Sequence, residues 1–203
     1  MVDAGQRANE ADVPVVLDPV GYGATPHRVE SVGRLIDAVA FDVIKGNVGE
    51  VRGLTGEEAA VRGVESVDDS GESSVGDAAK ALAAESGATV VASGTADIVA
   101  DADGAGYELA VGHERMGSFV GSGCMLASTL GTVTALTREA SVPISTATEA
   151  ALVATPAYGL AGERAAATEP PGPASYRTAF MDAVASLAAD PGDIDVDGRV
   201  SRL

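Results

Sequence analysis

Between Met116 and Gly131 the chain sets Gly117, Gly121 and Gly123, two serines and its single cysteine, Cys124, directly ahead of an apolar, alanine-bearing run. Glycines at 121 and 123 let the backbone turn tightly and let a ligand come close to it. From Ser122 onward Met125, Leu126, Thr129, Leu130 and Val133 recur at helical spacing. A glycine-rich turn that opens a helix leaves unpaired N–H groups at the positive end of the helix dipole. Such an arrangement binds anions, phosphate first among them. The ordinary alternative is a turn before a buried helix, with Cys124 a small core residue. The stretch is no P-loop, because no Lys-Ser/Thr follows, and it lacks the third glycine and preceding strand of a dinucleotide fingerprint.

Two carboxylates complete the chemistry. Asp18 ends the apolar run from Val13 to Leu17, and Glu50 follows a second short run, Phe41 to Ile44, in the segment Lys45-Gly-Asn-Val-Gly-Glu50. In open α/β sheets ligands collect beyond the carboxyl ends of the strands. Magnesium takes oxygen ligands, usually one or two carboxylates together with phosphate and water. Lys45 supplies a positive charge for a transferring phosphate. Taken singly, Asp18 also reads as a strand-end cap and Glu50 as a first-turn helix carboxylate; it is their combination with the glycine turn that suggests a nucleotide site. His27 and His113 stand far apart with no ligand partner at metal spacing, so both are expected as surface or pocket-lining groups. A serine hydrolase is disfavoured, because Gly121-Ser-Gly-Cys124 lacks the strand and elbow that a nucleophilic serine requires.

The elements that position these groups alternate in type. Helices are expected over 4–11, 28–38, 75–86, 122 onward, 144–167 and 176–188, with Pro156 kinking the fifth. Continuous apolar runs at 13–17, 41–44 and 89–93 have the character of strands buried on both faces of a parallel sheet. Residues 96–100 and 107–111 read as a hairpin. The segment 55–72 is polar and reads as helix turns and loop. Residues 190–203 form an acidic tail that is expected to fray, leaving 1–189 as the folded domain. The fold class is therefore α/β, a mostly parallel sheet flanked by helices with a late antiparallel hairpin.

The chain has 203 residues, 46% of them hydrophobic but only 3% aromatic, so its core is built from Ala, Val and Leu. No apolar run reaches the roughly 18–20 residues of a membrane helix, and the first residues do not resemble a signal peptide. A single cysteine forms no internal disulfide, which fits a reducing cytoplasm. The formal net charge is −17, from 30 acidic against 13 basic residues, and the only lysines are Lys45 and Lys80. Such a surface repels nucleic acid and anionic membranes. It also repels itself unless salt near 1 M shortens the screening length to about 3 Å, and this points to a halophilic, salt-accumulating cytoplasm.

A resemblance accounts for these features together. Pro14 to Gly21 with Gly23 to Thr25, Ile44 to Glu50, Ala92 to Asp97, Gly112-His113 with Met116, and Gly121 to Cys124 look like the hydroxyethylthiazole kinase family, in that family's order. The stretch Pro171 to Tyr176 resembles its late helix entry. Hydroxymethylpyrimidine kinase, a relative, shares the first and last of these motifs. It has Pro-Asn where this chain has Gly46-Asn47, and it lacks the approach from Gly112 to Met116. The resemblance implies a ribokinase-like fold and transfer of phosphate from ATP, with Mg2+, to the alcohol of 4-methyl-5-(2-hydroxyethyl)thiazole in thiamine salvage. It implies a homotrimer acting on small molecules, and βα units of the family that precede the segment seen here.

By the same resemblance, Cys124 with Gly121 and Gly123 is catalytic, and Gly121 also contacts substrate. Lys45, Asn47, Ser93 and Ser122 lie along the ATP phosphates, and Asp18 and Glu50 hold the metal. Lys45 stands where the family usually has arginine, a point charge in place of a fork. The competing expectations are a nucleotide-binding or subunit-interaction module without catalysis, and the pyrimidine kinase.

Overall fold

The computed structural model describes residues 1–56, 72–191 and 194–203. The polar segment expected over 55–72 falls largely outside them. In chain order the elements are α1 (Val2–Glu10), β1 (Val16–Leu17), α2 (Pro26–Ala38), β2 (Val43–Asn47), α3 (Val48–Leu54), α4 (Glu72–Ser86), β3 (Thr89–Ser93), β4 (Asp97–Ala100) and β5 (Gly106–Leu109). A 3-10 turn (Glu114–Ser118) leads into α5 (Ser122–Ala135), and α6 (Ala147–Ala167), α7 (Pro173–Ala189) and β6 (Val200–Arg202) complete the chain.

Among the described residues the strands form one sheet in sequence order, β1 to β6. It is mixed: β1, β2 and β3 run parallel, while β3 to β6 are joined antiparallel. Alternation along each strand sends neighbouring residues to opposite faces. Val43, Val91, Val99 and Leu109 pack under α5, α6 and α7, with Leu126, Leu130, Ala154, Tyr158 and Phe180. Ile44, Val90, Ala92, Ile98 and Ala100 face the other way, toward Leu35, Val51, Ala79 and Leu82 of α2, α3 and α4. The result is a helix–sheet–helix sandwich with two cores, which explains why the strands read as continuous apolar runs rather than alternating ones.

Local chemistry sets the helix ends. Thr25 caps α2 by accepting from the Arg28 N–H, with Pro26 in the first turn. Thr146 and Glu149 close a reciprocal capping box at the start of α6. Small residues let α6 come close to its neighbours: a Cβ at Gly159 would lie 2.8 Å from the Val111 carbonyl oxygen.

Three expectations change. The first strand shrinks to Val16–Leu17, because Pro14 has no N–H to offer and the Val15 N–H bonds the Asp42 carboxylate at 2.8 Å. The second strand shifts to Val43–Asn47, so Lys45, Gly46 and Asn47 lie within it rather than beyond it, paired with Val91, Ala92 and Ser93. The tail expected to fray instead adds β6 to the free edge of β5, with Tyr107, Glu108 and Leu109 opposite Arg202, Ser201 and Val200. Arg199 fastens it by bonding the Ala110 carbonyl and the Glu163 carboxylate.

Candidate active site

The carboxyl ends of β1, β2 and β3 and the start of α5 meet at one edge of the sheet. Lys45 sits inside β2, only 4% exposed, because its long side chain runs up between sheet and helix to that edge. Its ammonium is 3.5 Å from Asp18 Oδ1, just past β1. That oxygen is buried and accepts no hydrogen bond. On its other side the ammonium abuts α5: a Cβ at Gly123 would lie 2.8 Å from Nζ. A side chain at 123 would push the Lys45 ammonium out of this position. Gly121, the N-cap of α5, adopts φ +108° and offers no side-chain acceptor to the first-turn amides. A buried ammonium and the positive end of a helix thus stand against each other, with the Asp18 carboxylate beside the ammonium. An anion resolves that repulsion. Asp18, Lys45 and the Gly121–Cys124 turn, proposed from the sequence as one site, come together here.

Glu50 does something more specific than its sequence position suggested. Its Oε1 accepts from the Gly21 N–H at 2.7 Å and its Oε2 from the Asn47 N–H at 2.8 Å. The Asn47 side chain in return accepts from the Glu50 N–H at 2.8 Å, which completes a capping box on α3. Both carboxylate oxygens already serve backbone amides, and Glu50 anchors the loop that starts at Asp18. Arg28 holds the same loop through the Val20 carbonyl at 2.6 Å. Ser93, opposite Asn47 in register, donates to the Gly46 carbonyl at 3.3 Å. His27 is exposed in the first turn of α2, and His113 Nδ1 accepts from the Arg115 N–H at 3.2 Å to cap the 3-10 turn. Among the described residues no group of three or more His, Cys, Asp or Glu could hold a metal ion. Asp18, whose Oδ1 accepts no hydrogen bond, is a hard oxygen donor of the kind magnesium takes.

Sequence reasoning missed Asp97 as a site residue. It opens β4, where it read as the start of a hairpin arm. Its Oδ1 accepts from the Gly94 N–H at 3.0 Å. Burial pushes its carboxyl up to about 6, against the Gly94 bond and the Lys45 ammonium, both of which pull it down. The folded value thus lies above the ordinary 3.8. The stability this group contributes is complete below about pH 4, is lost as pH rises through about 6, and is flat above that. Urea unfolding of wild type and Asp97→Asn from pH 4 to 7.5 should show the wild type losing about 2 kcal/mol relative to the variant over that window. Parallel curves would refute the shift.

Cys124 is exposed in the first turn of α5. Tyr158 of α6, 4% exposed, donates its hydroxyl to the Ser122 carbonyl at 2.6 Å. Desolvation raises the Tyr158 phenol well above its usual range, with Tyr176, Cys124 and Asp97 adding to the effect. Tyr158 therefore keeps its proton. Nothing local in the sequence marks it; an aromatic on an alanine-rich helix reads as core.

Comparison with known proteins adds the family. Residues 1–190 match the model of the hydroxyethylthiazole kinase family. The chain is 47% identical over its whole length to a hydroxyethylthiazole kinase of Natronomonas pharaonis, covering 70% of that protein. It is 46% identical to one of Haloquadratum walsbyi, again over its whole length and covering 68% of that protein. The solved hydroxyethylthiazole kinase protein from Pyrococcus horikoshii OT3 superposes on all of this chain and 70% of its own, with a TM-score of 0.77 at 30% identity. That likeness fits the ribokinase-like fold the motifs implied, and with the sequence match it leads to one statement: the chain belongs to the hydroxyethylthiazole kinase family.

Proposed function

We propose that the protein transfers the γ-phosphoryl group of ATP to the hydroxyethyl oxygen of 4-methyl-5-(2-hydroxyethyl)thiazole, giving the phosphate ester and ADP. The observation that carries the site assignment is the buried Lys45 ammonium held between Asp18 and the side-chain-free backbone of Gly123. In the reaction the alcohol oxygen forms a bond to the γ-phosphorus as the bond to the β,γ-bridging oxygen breaks, and the hydroxyl proton leaves. Negative charge then spreads over the phosphoryl oxygens, and protein catalysis consists of positioning and electrostatic stabilisation. The amides of Gly121, Ser122, Gly123 and Cys124 point at those oxygens, and Lys45 adds a full charge in a water-poor setting. Cys124 lies beside the alcohol and takes or orients its proton. Gly121 leaves room for the substrate chain.

Asp18 would hold Mg2+ together with phosphate oxygens and water. When bound, the ion neutralises charge on the phosphates. Asn47 and Glu50 keep the Asp18 loop in register, and Ser93 lines the nucleotide side. A homotrimer working in a salt-rich cytoplasm completes the reading. Among the described residues no helix is long and apolar enough to cross a membrane.

The test is direct. Protein equilibrated in about 1 M salt, where its charge is screened, is given ATP, magnesium and the thiazole alcohol, and ADP and thiazole phosphate are quantified, with hydroxymethylpyrimidine as a parallel acceptor. Thiazole phosphate in step with ADP is expected. Folded protein that forms ADP only with the pyrimidine, or none with either, would reject the assignment.

A further inference from the structure

We propose that Tyr158 is a positioning residue for phosphoryl transfer, its hydroxyl fixing the first turn of α5 through the Ser122 carbonyl. The inference rests on the site reading above. The direction of the bond follows from its chemistry: a carbonyl only accepts, so the phenol donates across the 2.6 Å contact. The peptide unit it grips joins Ser122 to Gly123, the residue whose backbone lies against the Lys45 ammonium. A turn made of Gly121, Ser122 and Gly123 has little side-chain packing of its own to hold it. A bond from a second helix supplies what the turn's own sequence lacks.

Tyr158 is itself held. Its ring meets Phe180 edge-on, centroids 4.9 Å apart at 87°, and Phe180 stacks on Tyr176 and tilts against Phe119. Four of the chain's few aromatics thus form a rigid mount directly behind the glycine turn. Small errors in aiming donors at a reacting phosphoryl group cost large factors in rate, so the hydroxyl should matter more to turnover than to stability.

A second phenol in the same cluster provides the control. Tyr176 donates to the Gly162 carbonyl at 3.0 Å in a fully buried setting, and its partner lies in the middle of α6, away from the turn. Tyr158→Phe and Tyr176→Phe each remove one phenol–carbonyl bond and nothing else. Both should lower Tm by similar small amounts. Tyr158→Phe alone should cut kcat about tenfold, with KM for the thiazole alcohol held within a factor of two, and should weaken binding of magnesium-ADP by about threefold in calorimetry.

Unchanged kcat in Tyr158→Phe would overturn the proposal. Equal loss of kcat in Tyr176→Phe, or a Tyr158→Phe protein that fails to fold while Tyr176→Phe folds, would do the same, since either result marks a purely structural role. If wild type leaves the thiazole alcohol unphosphorylated, the functional assignment fails. The magnesium-ADP comparison between the two variants still decides the role of Tyr158.

Discussion

Lys45→Met should cut turnover about 10²–10³-fold and cost the fold about 3–5 kcal/mol, the scale for removing one partner of a buried ion pair. Methionine is isosteric with the apolar stem of lysine up to Cε, so packing between β2 and α5 is largely preserved. The Asp18 carboxylate, its oxygen already without a hydrogen bond, then loses the Lys45 cation beside it. For the reaction, deleting a preorganised charge at the phosphoryl group costs about 10²–10³ in kcat. The double variant Asp18→Asn/Lys45→Met separates the two effects. Urea unfolding should show most of the stability restored, because no orphaned charge remains, while ADP formation stays at the single-variant level. Turnover that returns with stability would mean that Lys45 acts only as a counter-ion.

Glu50→Gln should lower stability by about 2–3 kcal/mol and turnover by more than tenfold. The carboxylate accepts from two amides at once, Gly21 at 2.7 Å and Asn47 at 2.8 Å. A carboxamide turns an N–H2 group toward one of those donors, and a buried donor left without an acceptor costs about 1–3 kcal/mol. The loop from Asp18 to Gly21 then loses its tether, and the proposed metal-holding oxygen moves with it. A magnesium titration distinguishes tethering from direct metal ligation. If Glu50 works by holding the loop, the magnesium concentration for half-maximal rate stays within a factor of two of wild type and extra metal does not restore rate. Recovery at high magnesium would place Glu50 on the metal.

Both residues illustrate what the sequence could and could not reveal. The run Thr89–Ser93, the glycine turn and the helix from Ser122 were legible because their signals are local: apolar continuity, and glycine ahead of a 3.6-residue period. The extension of β2 through Lys45, Gly46 and Asn47 was not. A lysine and a glycine are poor strand signals, and here pairing with β3 and neutralisation by Asp18 override them. The Asn47–Glu50 capping box was readable as Asn-x-x-Glu, and the first-turn carboxylate was the plainer of the two readings of Glu50. Its second bond, to Gly21 across 29 residues, has no local trace. Asp97 and Tyr158 owe their character to burial and to neighbours from other elements, which spacing cannot display. β6 is set by the vacant edge of β5, which overrides the acidic composition around it.

The fastening of that last strand has a practical consequence. Arg199 grips the Glu163 carboxylate, which also accepts the Gly112 N–H at 2.8 Å, and Gly112 begins the approach to the glycine turn. Proteolysis that cuts the chain before Arg199 would remove this clip. It would thereby free the segment that delivers Phe119 and Gly121 to the catalytic edge. Batches of equal apparent purity should then differ in specific activity according to how ragged their carboxyl ends are, a correlation that intact-mass spectrometry of each batch would expose.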